Sequence, residues 1–184
     1  MEETTVSIIG IVIASIIMLV VPLILIADRS DDISQLVVQT ATAEFVDEVV
    51  KTGKITNKQY SEFTQRLASS GNTYEIDIEV KILDENTAKI YAINGGSQVA
   101  NNTYYSIFTS QIEDMLNASA ESSNTNNSDG KIVLKQGDAI SITVSNSSKT
   151  LSQSLKSFYY GSKGTDIKII TATASGTVAI SGAR

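Results

Sequence analysis

"VSIIGIVIASIIMLVVPLILIADRSDD", Val6 to Asp32, decides how the rest of the chain is read. No charged side chain occurs from Val6 to Ala27. Acids stand on both sides, Glu2 and Glu3 before the run and Asp28, Asp31 and Asp32 after it. As an α-helix the run is about 33 Å long, enough for a hydrocarbon layer of about 30 Å. A secretory signal has a basic start, a shorter apolar stretch and a small-residue cleavage site. Here the start is acidic, the run is long, and the Ile-Leu-Ile-Ala-Asp-Arg exit matches that site poorly. The expectation is a helix retained in the finished protein. Arg29 is the only basic side chain near either end, so flanking charge barely sets an orientation and leans towards an inside C-terminal part.

Two features of the run point to contact with other helices. Ser7, Gly10 and Ala14 share one helical face, and Gly10-x-x-x-Ala14 is a pair of small residues that lets backbones approach closely in lipid. Pro22 is the only proline in the chain; inside a helix it removes one backbone hydrogen bond. Both features also occur in ordinary single-pass anchors.

Composition narrows the chemistry. Among 184 residues there is no His, Cys or Trp. That removes disulfides, thiol nucleophiles, the usual zinc and copper sites, and the Ser-His-Asp and Cys-His arrangements. Net charge is -6, which argues against nucleic acid and leaves no polybasic patch for anionic lipid. A Cys-free chain rich in Ser, Thr and Asn suits an exported protein.

Beyond the run, Ile33, Leu36, Val37, Ala41, Phe45 and Val49 recur at helical spacing, with Gly53 as the stop. Thr56 and Gln59 form a capping box, Ile55 and Tyr60 a hydrophobic staple, and a short helix follows with Gly71 as its C′ residue. "YEIDIEVKIL" alternates strictly and reads as a strand with one wet face, and "AKIYAI" as its hairpin partner. Tyr104, Tyr105, Phe108, Ile112, Met115 and Leu116 predict a helix capped by Asn102 or Thr103, with a polar loop from Asn117 to Gly130. "KIVL" and "AISITVS" read as strands, Leu151–Tyr159 as a helix capped by Ser148 or Thr150, and "DIKIITATASGTVAI" as one or two strands with Gly176 at a bulge or turn. The fold expected is α+β: an N-terminal transmembrane helix continuing into an amphipathic helix, then an antiparallel sheet with helices packed on one face. The division expected is a transmembrane or filament-core helix over 1–28, an amphipathic helical stalk over 29–71, and a head over 72–184.

A search for reacting groups gives little. Asp28, Asp31 and Asp32 lack the spacing of a calcium loop and read as a solvated, acidic helix start. Glu75, Asp77 and Glu79 share the wet face of one strand, so nothing drives their acidities apart. "GSKG" lacks the spacing of a phosphate loop. Neither an enzyme nor a cofactor is expected. Asn101, Asn117, Asn126 and Asn146 lie in N-x-[ST] sequons.

An apolar helix flowing into an amphipathic one and then an α+β head resembles a pilin or pseudopilin. More narrowly, "EFVDEVVKTGKITNKQYSEFTQRLASSGNTYEIDIEVK" and "LKQGDAISITVSN" resemble pilin-like membrane proteins of the Tad class from Gram-positive bacteria. The resemblance implies a structural subunit, a minor pilin or pseudopilin of a Tad-like or type IV pilus or secretion apparatus. Its partners would be copies of itself or other pilin-like subunits and membrane lipid, with an assembly platform protein and ATPase acting indirectly. The head would lie outside the cell, on a single-pass anchor or in a surface filament. In that family an acid near the mature N-terminus pairs with a neighbouring subunit's amine; Glu2 or Glu3 would stand in for it, although neither lies within the apolar run. No basic leader and no Gly ahead of a hydrophobic mature start are visible in these residues. The alternative is a single-pass membrane-anchored extracellular binding or sensor module.

Overall fold

Gly53, at φ +63°, ends an α-helix of 51 residues, α1 (Glu2–Thr52). Its amide donates to the Val49 carbonyl, and the left-handed turn it makes is open to glycine at no steric cost. The computed structural model describes residues 2–84, 103–121, 130–160 and 170–180. After α1 come β1 (Lys54–Thr56), α2 (Asn57–Ala68), β2 (Tyr74–Asp84), β3 (Thr103–Phe108), α3 (Thr109–Glu121), β4 (Lys131–Val133), β5 (Ala139–Asn146), α4 (Leu151–Tyr160) and β6 (Thr171–Thr177). The architecture is α+β: a long N-terminal helix followed by antiparallel sheets with helices.

The main sheet has the order β3-β2-β5-β6, antiparallel throughout. The alternation of β2 sets its faces. Ile78 and Val80 pair with Ile142 and Ile140 of β5, and Val80 with Ile107 of β3; all five are buried. Helices cover this side. The distal part of α1 supplies Val38, Ala41, Phe45, Val46 and Val49, α2 supplies Phe63 and Leu67, and α3 supplies Ile112 and Leu116 to one continuous core. Residues 29–71 and 72–184 therefore share a core. Phe45 stacks on Phe63, with ring centroids 4.7 Å apart and planes at 23°. The opposite face carries Glu75, Asp77 and Lys81 with Thr143 and Thr173, whose hydroxyls lie 3.3 Å apart.

A second sheet pairs β1 with β4 and ties the α1–α2 turn to the chain after α3. The amide of Leu134 donates to the Gly53 carbonyl at 2.8 Å. The capping box forms as expected: the Thr56 hydroxyl accepts from the Gln59 amide, and the Gln59 side chain accepts from the Thr56 amide at 2.9 Å. Asp138, buried in the Gln-Gly-Asp turn, accepts from the Leu83 and Lys135 amides and fixes that turn to the end of β2.

Five expectations change. Thr103–Phe108 is a strand, not the first turns of a helix, because Tyr105 and Ile107 alternate in register with Ile82 and Val80. The helix that follows begins at Thr109 and runs through Glu121, past the expected loop start at Asn117. Lys54–Thr56 is a strand that the helix-start signals concealed. Gly176 is not at a turn; it lies within β6 opposite Ile140, where a Cβ would stand 2.6 Å from Val50 Cγ2 and 3.4 Å from Val46 Cγ1. Its missing side chain is what lets α1 lie on the sheet. Ser69 caps α2, and Gly71, at φ +80°, follows two residues later. The "AKIYAI" strand, the "GSKG" loop, most of the 117–130 loop, Asn101 and Asn126 lie outside the described residues.

Candidate membrane and assembly helix

The two ends of α1 have opposite surroundings. From Val6 to Ile26 only Val20 and Ile24 are half-buried; every other side chain is exposed. Among the described residues, fourteen exposed large apolar side chains lie in that span, Met18 at 81% among them. The most apolar 18-residue window has a mean hydropathy of 3.1 and none of it is buried. A helix apolar all round is either the centre of a protein or a membrane span, and here no described part of the chain covers it. It is long and apolar enough to cross a membrane.

Ser7, Gly10 and Ala14 are exposed on this half, and a Cβ on Gly10 would meet nothing within 4 Å. Among the described residues that face is open. Pro22 is inside the helix and exposed. Glu2 and Glu3 belong to the first turn of α1; their side chains lie outside the described residues.

The covered face of α1 starts inside the apolar run. Val20, Ile24, Ala27, Asp28, Asp31, Ser34, Gln35 and Val38 follow one another at helical spacing, all half-buried or buried, with Ala27 at 2% exposure. The middle of this stripe is a polar collar. Asp31, buried, accepts from the Thr150 hydroxyl at 2.7 Å. Asp28 accepts from the Ser152 hydroxyl and pairs with Lys156 at 2.6 Å. The Ser34 hydroxyl donates to the Ser70 carbonyl at 3.3 Å, and the Gln35 amide grips both backbone groups of Thr171, at 2.6 and 3.0 Å. The start of α4, the α2–β2 turn and the start of β6 are thus fastened to successive turns of α1.

The collar corrects the reading of Asp28, Asp31 and Asp32 as a solvated helix start: α1 has no break there, and two of the three acids hold the head. The hydrogen bonds from Lys156 and then Ser152 keep the Asp28 carboxyl below the usual carboxylate range. Of the apolar face expected for 33–49, Ala41, Phe45 and Val49 enter the core, and its first two members are corrected. Ile33 and Leu36, at 61% and 64% exposure, point away from the head, while Ser34 and Gln35 point into it. Ile26, Ile33 and Leu36 therefore continue the exposed apolar surface past the first charges.

Elsewhere the chemistry is sparse. Burial, and then the Glu113 carboxylate that its hydroxyl contacts at 2.6 Å, push Tyr60 well above its ordinary range, so it is a neutral tie between α2 and α3. No group of three acids among the described residues is placed to hold a metal ion. An open depression of about 570 Å³ on the outer face of the sheet is lined by Asp77, Glu79, Phe108, Thr109, Ser141 and Thr143. Of the sequons, Asn117 is exposed, whereas the Asn146 amide is buried, donating to the Ser148 carbonyl and accepting from the Ile170 amide. No protein-family model, curated protein or solved structure matches this chain.

Proposed function

We propose that the protein is a structural subunit, a minor pilin or pseudopilin of a Tad-like or type IV pilus or secretion apparatus. It assembles through the exposed apolar surface of α1. Val6–Ala27 lies in lipid before assembly and against sister helices afterwards, with the head on the outer side. One observation carries this reading over that of a solitary anchor: the exposed apolar surface does not stop with the uncharged run but continues on the face opposite the head to Ile33 and Leu36. Lipid has no use for those two side chains above the first charges, but a neighbouring helix does. Lipid tails are as apolar as Leu, so packing at close approach must favour assembly, and the open Ser7, Gly10 and Ala14 face allows it.

Crosslinking between full-length chains in membranes tests the reading. Gly10→Leu and Leu36→Glu each reduce the crosslinked product several-fold while leaving unfolding of the head unchanged. If both variants crosslink like the unmodified chain, the assembly surface is misassigned. Filaments carrying this chain in sheared surface material support the subunit reading. The second reading, an anchored extracellular binding or sensor module, is favoured by the depression on the outer face of the sheet, with its acids, hydroxyls and Phe108. It predicts a monomer in membranes and no filament.

A further inference from the structure

The amphipathic helix α4 stands where the apolar run meets the head. Its level is fixed by its partners: Thr150 is held at Asp31, and Ser152 and Lys156 at Asp28. As α4 goes forward in sequence, it moves back along α1 towards the apolar run. Four more residues lead from Lys156 to Tyr160, about 6 Å at helical rise. That is also the distance from Asp28 back to Ile24, which with Val20 is where the covered stripe enters the run. On the flank of α4, Leu151, Leu155 and Phe158 follow at i, i+4 and i+7. Phe158 is 88% exposed, the highest value among the large apolar side chains of the described residues, and the sequence continues Phe-Tyr-Tyr at this end.

From this juxtaposition we infer that the C-terminal half of α4 is a membrane foot: Phe158 inserts into the headgroup–acyl boundary of the bilayer that holds Val6–Ala27. The occupant of this exposed face is lipid. Amphipathic helices sit about 5–10 Å into that boundary, and aromatic side chains concentrate there. Lys156, paired with Asp28, stands at the level of the headgroups, where a lysine can keep its ammonium at the polar edge. With α1 crossing the bilayer and α4 resting in its surface, the head is held at two points and loses the freedom to swing on a single anchor. The inference rests on the proposed anchoring of Val6–Ala27 in lipid.

The chain has no tryptophan, so one introduced indole reports alone. Two full-length variants, Phe158→Trp and Met18→Trp, are reconstituted separately into phosphatidylcholine vesicles carrying bromines either high or low on the acyl chains. Both replaced side chains are exposed, so neither change disturbs the core. The expected result is blue-shifted emission from both. The indole at position 158 loses most of its emission to bromines near the headgroup, and the indole at position 18 to those deeper in the chains. Quenching at 18 but not at 158, with water-like emission at 158, leaves the anchor standing and overturns the foot. Blue-shifted emission at 158 that no bromine quenches assigns the face to a second copy of the chain and also overturns it. No quenching at either position removes both the foot and the anchor beneath it.

Discussion

The two halves of α1 share a backbone and nothing else. Between Val6 and Ile26 the helix is rich in Val and Ile, whose β-branched side chains lose freedom in a helix, and it gains almost no contact with the rest of the described chain. Between Ala27 and Thr52 the same helix is the spine of the head, with Val38 and Val49 fully enclosed and Phe45 stacked on α2. Tertiary packing stabilises the second half, as in most soluble helices. The first half has no such source. Its helix persists where the surroundings are apolar and every backbone group must find its partner within the segment. One continuous helix thus joins an uncovered apolar half to a packed one, and the polar collar at residues 28–35 marks the change.

A pair of matched truncations tests this contrast most severely. Phe45→Ala removes a ring from the core and costs about 3–5 kcal/mol. Ile11→Ala, on the other half, leaves the stability of the head unchanged to within about 0.5 kcal/mol. Urea unfolding of the full-length chain in detergent, followed by the loss of β-structure, measures both. A comparable loss from Ile11→Ala would mean that the halves are not energetically separate.

A smaller effect sharpens how closely the distal half sits on its sheet. In Gly176→Ala the new methyl falls 2.6 Å from Val50 Cγ2. The Val50 side chain, α1 or β6 must give way, at a cost of about 1–3 kcal/mol. Adding Val50→Ala makes room and recovers part of that loss, so the two changes are non-additive when measured by the same unfolding curves. Strict additivity would place the cost in the conformation of β6 instead of in the contact with α1.

Much of this architecture is legible in local sequence, because local chemistry decides it. The unbroken run Val6–Ala27, the alternation of β2, the Thr56–Gln59 box and the stop at Gly53 each need only neighbours within a few residues. The misreadings share a different cause. Tyr104, Tyr105 and Phe108 fit a helical period as well as a strand period, and only pairing with β2 chooses. The collar is harder still: Asp31 and Thr150 are 119 residues apart, and Asp28 and Ser152 are 124 apart. Nothing local distinguishes an acid that water solvates from one that a distant hydroxyl holds. The one local signal is the run of polar residues Asp28, Asp31, Ser34 and Gln35 on one face, in line with Ala27 below and Val38 above. Ile33 and Leu36 mislead because an apolar face on a soluble helix is normally the buried one. Here these two residues point outward, while Ala41, Phe45 and Val49 farther along are buried.

The smallest expected effect lies at the collar, and it separates the collar from the apolar contacts on either side by its dependence on pH. Asp28 is held below the ordinary carboxylate range, first by Lys156 and then by Ser152. Its contribution to the docking of α4 is therefore fully present above its unfolded-state value, near 3.8, and is lost as pH falls through the lower folded-state value. Asp28→Asn keeps the shape but cannot pair with the ammonium. The unmodified chain should thus be the more stable of the two at about pH 6, with the difference shrinking only below pH 3.8 and narrowing at any pH when salt is added, since the pair is partly exposed. Protease cleavage within α4 of the full-length protein in detergent reads this directly, because a loosened α4 is cut faster. A difference that held steady as pH fell through the whole acid titration of the folded chain would show that Asp28 acts through its shape and not its charge. The junction would then be one more stretch of ordinary packing, not an electrostatic clasp between the two halves of α1.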